Sequence, residues 1–131
     1  MTIDINTLFA NDILDLYDTR FPAGSILELR TGAPAGADNV AGGTLVAAIE
    51  LPALPWAAAA ARSKSKSIAS VWQNVALIDA TVGHFRLCNA ADAYRDEGTA
   101  TLAGDGGDAI IDAVDVLAGQ VITVETFTRT N

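Results

Sequence analysis

One histidine and one cysteine are all that 131 residues supply of the side chains that most often bind metals or form crosslinks. A disulfide within the chain is therefore excluded, as are most multi-ligand metal sites. Bases are scarce as well: eight against sixteen acids leave a net charge of −8. That balance excludes an ordinary nucleic-acid binder, which needs a basic face to neutralise phosphates. Large apolar side chains are fewer than the 50% hydrophobic content suggests, because Ala supplies 25 of the 66 residues counted and only eight are aromatic. No apolar run reaches the 18 or so residues of a membrane span. The first 25 residues hold four Asp and no basic segment ahead of a hydrophobic run, so no signal peptide is expected. These absences predict a soluble, cytoplasmically made protein with no membrane, nucleic-acid or cofactor partner. The length predicts one domain over residues 1–131.

What is present is an architecture. Asn6 can cap a helix over residues 6–20, on which Phe9, Ile13, Leu16, Tyr17 and Arg20 form a stripe that Asp12, Asp15 and Asp18 avoid. Pro22 and Gly24 end it. From residue 25 onward the period falls to two. Leu27 and Leu29 mark one strand, and Leu45, Ala47, Ile49 and Leu51 mark another beyond the Gly-rich stretch 33–43. Pro55 suits the start of a helical turn through Ala57–Ala61. Further strands are predicted at Ser67–Trp72, Val75–Ile78, Gly83–Cys88, Gly98–Leu102, Ala109–Ala113 and Gln120–Thr128. In the last, Ile122, Val124 and Phe127 share one face only if a bulge lies near Glu125 and Thr126. The sum is a mainly β chain: an antiparallel β-sandwich or small jelly-roll-like barrel of about eight strands with one N-terminal helix.

Few residues suggest chemistry. His84 and Cys88 lie four apart on a strand, about 13 Å by the strand rise, too far to act as a nucleophilic pair. Gly104-Asp105-Gly106-Gly107-Asp108 offers oxygen ligands but lacks EF-hand spacing and a closing Glu, so it reads as a turn. With no Gly-x-Ser-x-Gly elbow, an enzyme is not expected. Charge is segregated instead. Arg62, Lys64 and Lys66 fall in an acid-free interval between Glu50 and Asp79, while seven acids and a single base occupy Asp92–Asp115. Complementary segments of this kind can mate between subunits. Arg62, Lys64 and Lys66, read as an exposed basic loop or strand edge, are with Trp56 the candidate subunit-interface residues.

The segments Leu27-Glu28-Leu29-Arg30-Thr31-Gly32-Ala33-Pro34 and Gly83-His84-Phe85-Arg86-Leu87, the Gly104–Asp108 turn and the ending Ala118-Gly119-Gln120-Val121 to Thr128 occur here in one order. In that order the chain, over residues 8–129, resembles a group of small tailed-bacteriophage proteins encoded among virion structural genes. The run Arg62-Ser63-Lys64-Ser65-Lys66-Ser67 departs from the group, which has a Gly/Thr-rich loop there. The resemblance implies a virion component without catalytic residues, assembled in the host cytoplasm. Its expected role is a capsid decoration or cement protein, with the major capsid protein or other virion subunits as partners and a homo-oligomeric state. A low-copy tail, baseplate or head–tail junction protein is the alternative, and a carbohydrate-binding module a weaker one.

Overall fold

The computed structural model describes residues 4–131. Two short helices, α1 (Thr7–Leu14) and α2 (Tyr17–Arg20), precede the strands β1 (Ile26–Arg30), β2 (Leu45–Glu50), β3 (Ser63–Ser65), β4 (Trp72–Val75) and β5 (Ala80–Thr81). There follow β6 (His84–Cys88), β7 (Arg95–Thr101), β8 (Ala109–Ile111), β9 (Asp115–Val116) and β10 (Val121–Thr130).

Asn6 caps α1 as expected, its Oδ1 accepting from Phe9 N at 2.9 Å. The single helix expected through residue 20 is broken at Asp15–Leu16, where Leu16 N donates to Ile13 O in a tightened turn. The expected inward stripe is also displaced. Phe9, Ile13 and Leu16 face solvent, whereas Ala10 and Leu14 are buried and Tyr17 and Phe21 continue that line into the core. Both lines have helical spacing, so periodicity could not choose between them.

The main sheet runs β2-β1-β6-β7-β8-β10-β3, with β4 also paired to β10, and β5 and β9 form a separate small ladder. The sheet curls: Leu77 N donates to Val46 O at 2.7 Å and Ala76 N to Gln120 O at 2.8 Å, tying the chain after β4 back to β2 and β10. This is the mainly β, barrel-like architecture that the alternating segments predict. One ladder is parallel, pairing Ala100 with Ala109 and Thr101 with Ile110. The turn between them, with Gly104 and Gly106 at φ +90 and +80, doubles back and is held by Gly107 N donating to Thr101 Oγ1.

Inside the curl, Trp72, Phe85 and Phe127 are fully buried among Leu27, Leu29 and Ile49. Phe85 and Phe127 meet edge-on at 4.9 Å, and Trp72 lies 5.7 Å from Phe127. The bulge in β10 is where parity places it: the register with β8 shifts between Val124 and Thr126, and Ile122, Val124 and Phe127 all point inward. A second shift, between Leu29 and Arg30 against β2, leaves Val46 and Ala47 both buried. The loop 33–43 covers the outer face of β6, so Arg86 is buried there although its neighbours Phe85 and Leu87 point inward.

Three expected elements do not form. The segment after Pro55 is no helical turn, because its backbone pairs forward: Ala57 N donates to Ser65 O, and Trp56 and Ala60 bridge to Lys66 and Ser63. It reverses at Ala61 and Arg62, both left-handed at φ 50 and 62. Such non-glycine residues cost on the order of 1 kcal/mol each, so outside contacts must hold them. The expected strand Ser67–Trp72 is a turn up to Val71, closed by Ser70 N on Ser67 O, and Trp72 alone enters β4. The separate strand expected at Val75–Ile78 does not form either: Val75 ends β4, and Ala76 and Leu77 make the closing bonds to β10 and β2.

Candidate interaction surface

The four candidate interface residues lie close in sequence but do different work. Trp56 is half-buried, donates from Nε1 to Phe21 O at 2.8 Å and meets Trp72 and Tyr17 edge-on at 5.1 and 5.2 Å. It belongs to the core's aromatic cluster. Arg62 ties the two ends of the chain together, donating from Nη1 to Ile5 O at 2.6 Å and from Nε to Asn131 O at 2.7 Å.

Lys64 corrects the expectation of an exposed basic loop. It is wholly buried beneath the helices, its Nζ 2.8 Å from Asp15 Oδ1 and 3.0 Å from Asp18 Oδ1. Asp15 also accepts from Ala59 N at 2.8 Å, and Asn11 Oδ1 accepts from Arg62 N at 2.9 Å. These bonds hold the left-handed Ala61–Arg62 reversal. The Lys64 and Ala59 bonds keep the Asp15 carboxyl below its ordinary pKa. The basic strand edge β3, read as a surface for a neighbour, thus meets the N-terminal helices within the chain.

The acid-rich interval is likewise paired internally. Arg86 and Glu97, both buried, lie 2.6 Å apart, and Arg86 also donates to Asn39 O at 2.6 Å. Arg95 pairs with Asp92 at 2.8 Å. Arg129 is hydrogen-bonded to Asp96 through Nε and Nη2, donates to Glu97 O at 2.6 Å and lies 3.4 Å from Asp108. Tyr17 Oη donates to the same Asp96 at 2.6 Å, and burial, then the Asp96 charge, pushes its pKa well up. Sequence reading missed this network. Its members lie up to 112 positions apart (129 − 17), and no local pattern joins them.

The remaining chemical candidates are placed as follows. His84 is buried with Nδ1 2.9 Å from Gly32 O. Burial, with the Glu28 and Asp92 charges, raises the Cys88 thiol to about 11, the opposite of an activated nucleophile. In the Gly104–Asp108 turn, Asp108 faces Arg129. Among the described residues no three His, Cys, Asp or Glu side chains are grouped to hold a metal ion, and no helix is long and apolar enough to cross a membrane.

What the surface does present is apolar. Leu8, Phe9 and Ile13 of α1 face outward, with Leu8 71% exposed, and Leu16 in the turn that follows is exposed as well. On the β4–β10 ladder Val75 and Val121 are cross-strand partners that both face solvent, near exposed Leu77 and Leu117. Contiguous faces of this kind mark contact surfaces more often than they occur on isolated monomers. No protein-family model, curated protein or solved structure matches the chain.

Proposed function

We propose that the chain is a non-enzymatic structural subunit of a tailed-bacteriophage virion, a decoration or cement protein seated on the capsid lattice. The observation that carries this reading is the solvent-facing apolar group Leu8, Phe9 and Ile13 on α1, with Leu16 in the turn after it, beside the point where Lys64 fastens that turn through Asp15. A helix fastened by charge at its C-terminal turn presents its apolar side to a neighbour without loosening the fold. Many such weak contacts, repeated across a lattice, reinforce it by multivalency. The motif order Leu27–Pro34, Gly83–Leu87, Gly104–Asp108 and Ala118–Thr128 supports the virion class. The partner is the major capsid protein or another virion subunit.

Quantitative mass spectrometry of purified particles tests the proposal. Hundreds of copies per particle are expected. A ring of about a dozen would move the chain to the tail or head–tail junction and overturn the decoration role, and absence from particles would overturn the virion role altogether.

A further inference from the structure

The sheet splits beside β10. That strand pairs with β4 through Val121–Val124 and with β3 through Thr128–Thr130. Between these ladders Glu125 has no register partner, and Thr126 is in register only with Ile110 of β8. The turn after Lys66 passes beside the split without filling it, leaving Ile68 fully exposed and Val71 61% exposed. A cleft of about 440 Å³ results, lined by Ser65, Lys66, Ile68 and residues 125–128. That size falls within the range of small-ligand sites, roughly 300–1,000 Å³.

Lys66 gives the cleft its chemistry. Its Nζ donates to Ser67 O at 3.1 Å and stands 5.9 Å from the Trp72 ring centre. Among the described residues no carboxylate lies within ion-pair distance of it, whereas Lys64, two positions earlier, has two. Burial pulls its pKa down, because a partly desolvated ammonium lacks a counter-charge. An incoming carboxylate supplies that charge with a strong hydrogen bond. The ladder is interrupted only at Glu125 and Thr126, because Lys66 N already donates to Phe127 O at 2.9 Å, so the gap suits a short extended stretch. Glu125, also on the cleft wall, repels an incoming acid, so the carboxylate is confined to the Lys66 end.

We infer that this split is a binding cleft for an extended peptide segment of a partner chain, which sets one carboxylate side chain against Lys66 and an apolar side chain against Ile68. The net charge of −8 opposes acidic donors at long range, a second copy of this chain most of all, so the bound segment carries one carboxylate and no more. The inference goes beyond the virion role and does not depend on it: particle stoichiometry and cleft binding are measured separately.

The test titrates the isotope-labelled full-length chain with the capped peptide Ac-Thr-Val-Asp-Val-Thr-NH2 and with its counterpart carrying Lys in place of Asp, followed by amide NMR. The acidic peptide should give saturable shifts confined to residues 65–71 and 125–128, and the Lys peptide none. Lys66→Gln should weaken binding about tenfold, the equivalent of about 1.4 kcal/mol. Ile68→Ser should weaken it several-fold. Because Ile68 is wholly exposed, that variant keeps the test decisive even if Lys66→Gln disturbs packing over Trp72. Equal response to the two peptides, the same shifts with acetate alone, or shifts only outside the cleft would overturn the inference. So would concentration-dependent shifts at these residues without peptide, which would assign the cleft to a second copy.

Discussion

The Lys64 ammonium and the Asp15 carboxylate lie 2.8 Å apart, with the lysine side chain entirely shielded and the aspartate side chain 40% exposed. The pair links β3 to the turn between α1 and α2. Asp18 is the second counter-charge, so removing both acids strands a buried cation. The double variant Asp15→Asn/Asp18→Asn should lose about 3 kcal/mol in urea unfolding, whereas Lys64→Met, which removes the charge and keeps the volume, should lose less than about 1.5 kcal/mol. Equal losses would show that packing, not charge, makes the link.

The same pair sets an acid limit. The Asp15 carboxyl is held below its ordinary value by the Lys64 and Ala59 hydrogen bonds. A depressed folded-state pKa contributes stability above the unfolded value of about 3.9, lost as pH falls through the folded value. Stability should therefore decline from about pH 5 downward. Asp15→Asn should be less stable at neutral pH and show a shallower acid limb. Parallel acid limbs for the two proteins would contradict the assignment.

Cys88 should react slowly. With its thiol raised to about 11, the thiolate fraction at pH 8 is about two orders of magnitude below that of an unfolded thiol near 8.5. Alkylation by iodoacetamide should be slowed accordingly in the native protein and recover in urea. Because the folded pKa is raised, this group's contribution to stability is complete below about pH 8.5 and is lost as pH rises above it.

Two glycines should differ sharply on replacement by alanine. A Cβ on Gly83 would lie 2.3 Å from Gly32 O, a backbone atom with no freedom to retreat, whereas at Gly104 it meets nothing within 4 Å and only the positive φ is strained. Gly83→Ala should cost more than about 3 kcal/mol and Gly104→Ala about 1 kcal/mol by thermal unfolding.

The apolar face of α1 separates assembly from folding. Leu8→Ser/Phe9→Ser should change stability by no more than about 0.5 kcal/mol per site, since both residues are exposed, yet should sharply reduce incorporation into particles. Undiminished incorporation would remove α1 as the contact. Replacing Arg62, Lys64 and Lys66 together cannot serve as this test, because it would dismantle the internal Lys64 link.

Legibility in the sequence followed the range of the cause. The β10 bulge could be read from parity alone, because Ile122, Val124 and Phe127 carry their own burial signal. The Asn6 cap and the β1 and β6 strands were legible for the same local reason. The burial of Lys64 was not, because Ser63-Lys64-Ser65 looks like solvated edge until Asp15 and Asp18 arrive from 46 to 49 residues away. The Ala57–Ala61 segment misled in the opposite direction. Its alanines favour a helix, but Ser65 O and Asp15 offer the backbone long-range partners that a helical turn would forfeit. The α1 stripe was misread because two lines of apolar residues run along one short helix, and only the tertiary fold decides which is covered.

The strand at Val121–Thr130 meets β8, β4 and β3, elements that otherwise have little to hold them together. On the ribosome, where about 5–20 residues emerge per second, β1 and β2 are exposed well before it. The nascent chain can pair these early strands but cannot shut its hydrophobic interior until β10 clears the exit tunnel. A chain interrupted before residue 121 would thus display its unfinished core to chaperones and proteases, and pairing by β10 is what withdraws that core from them.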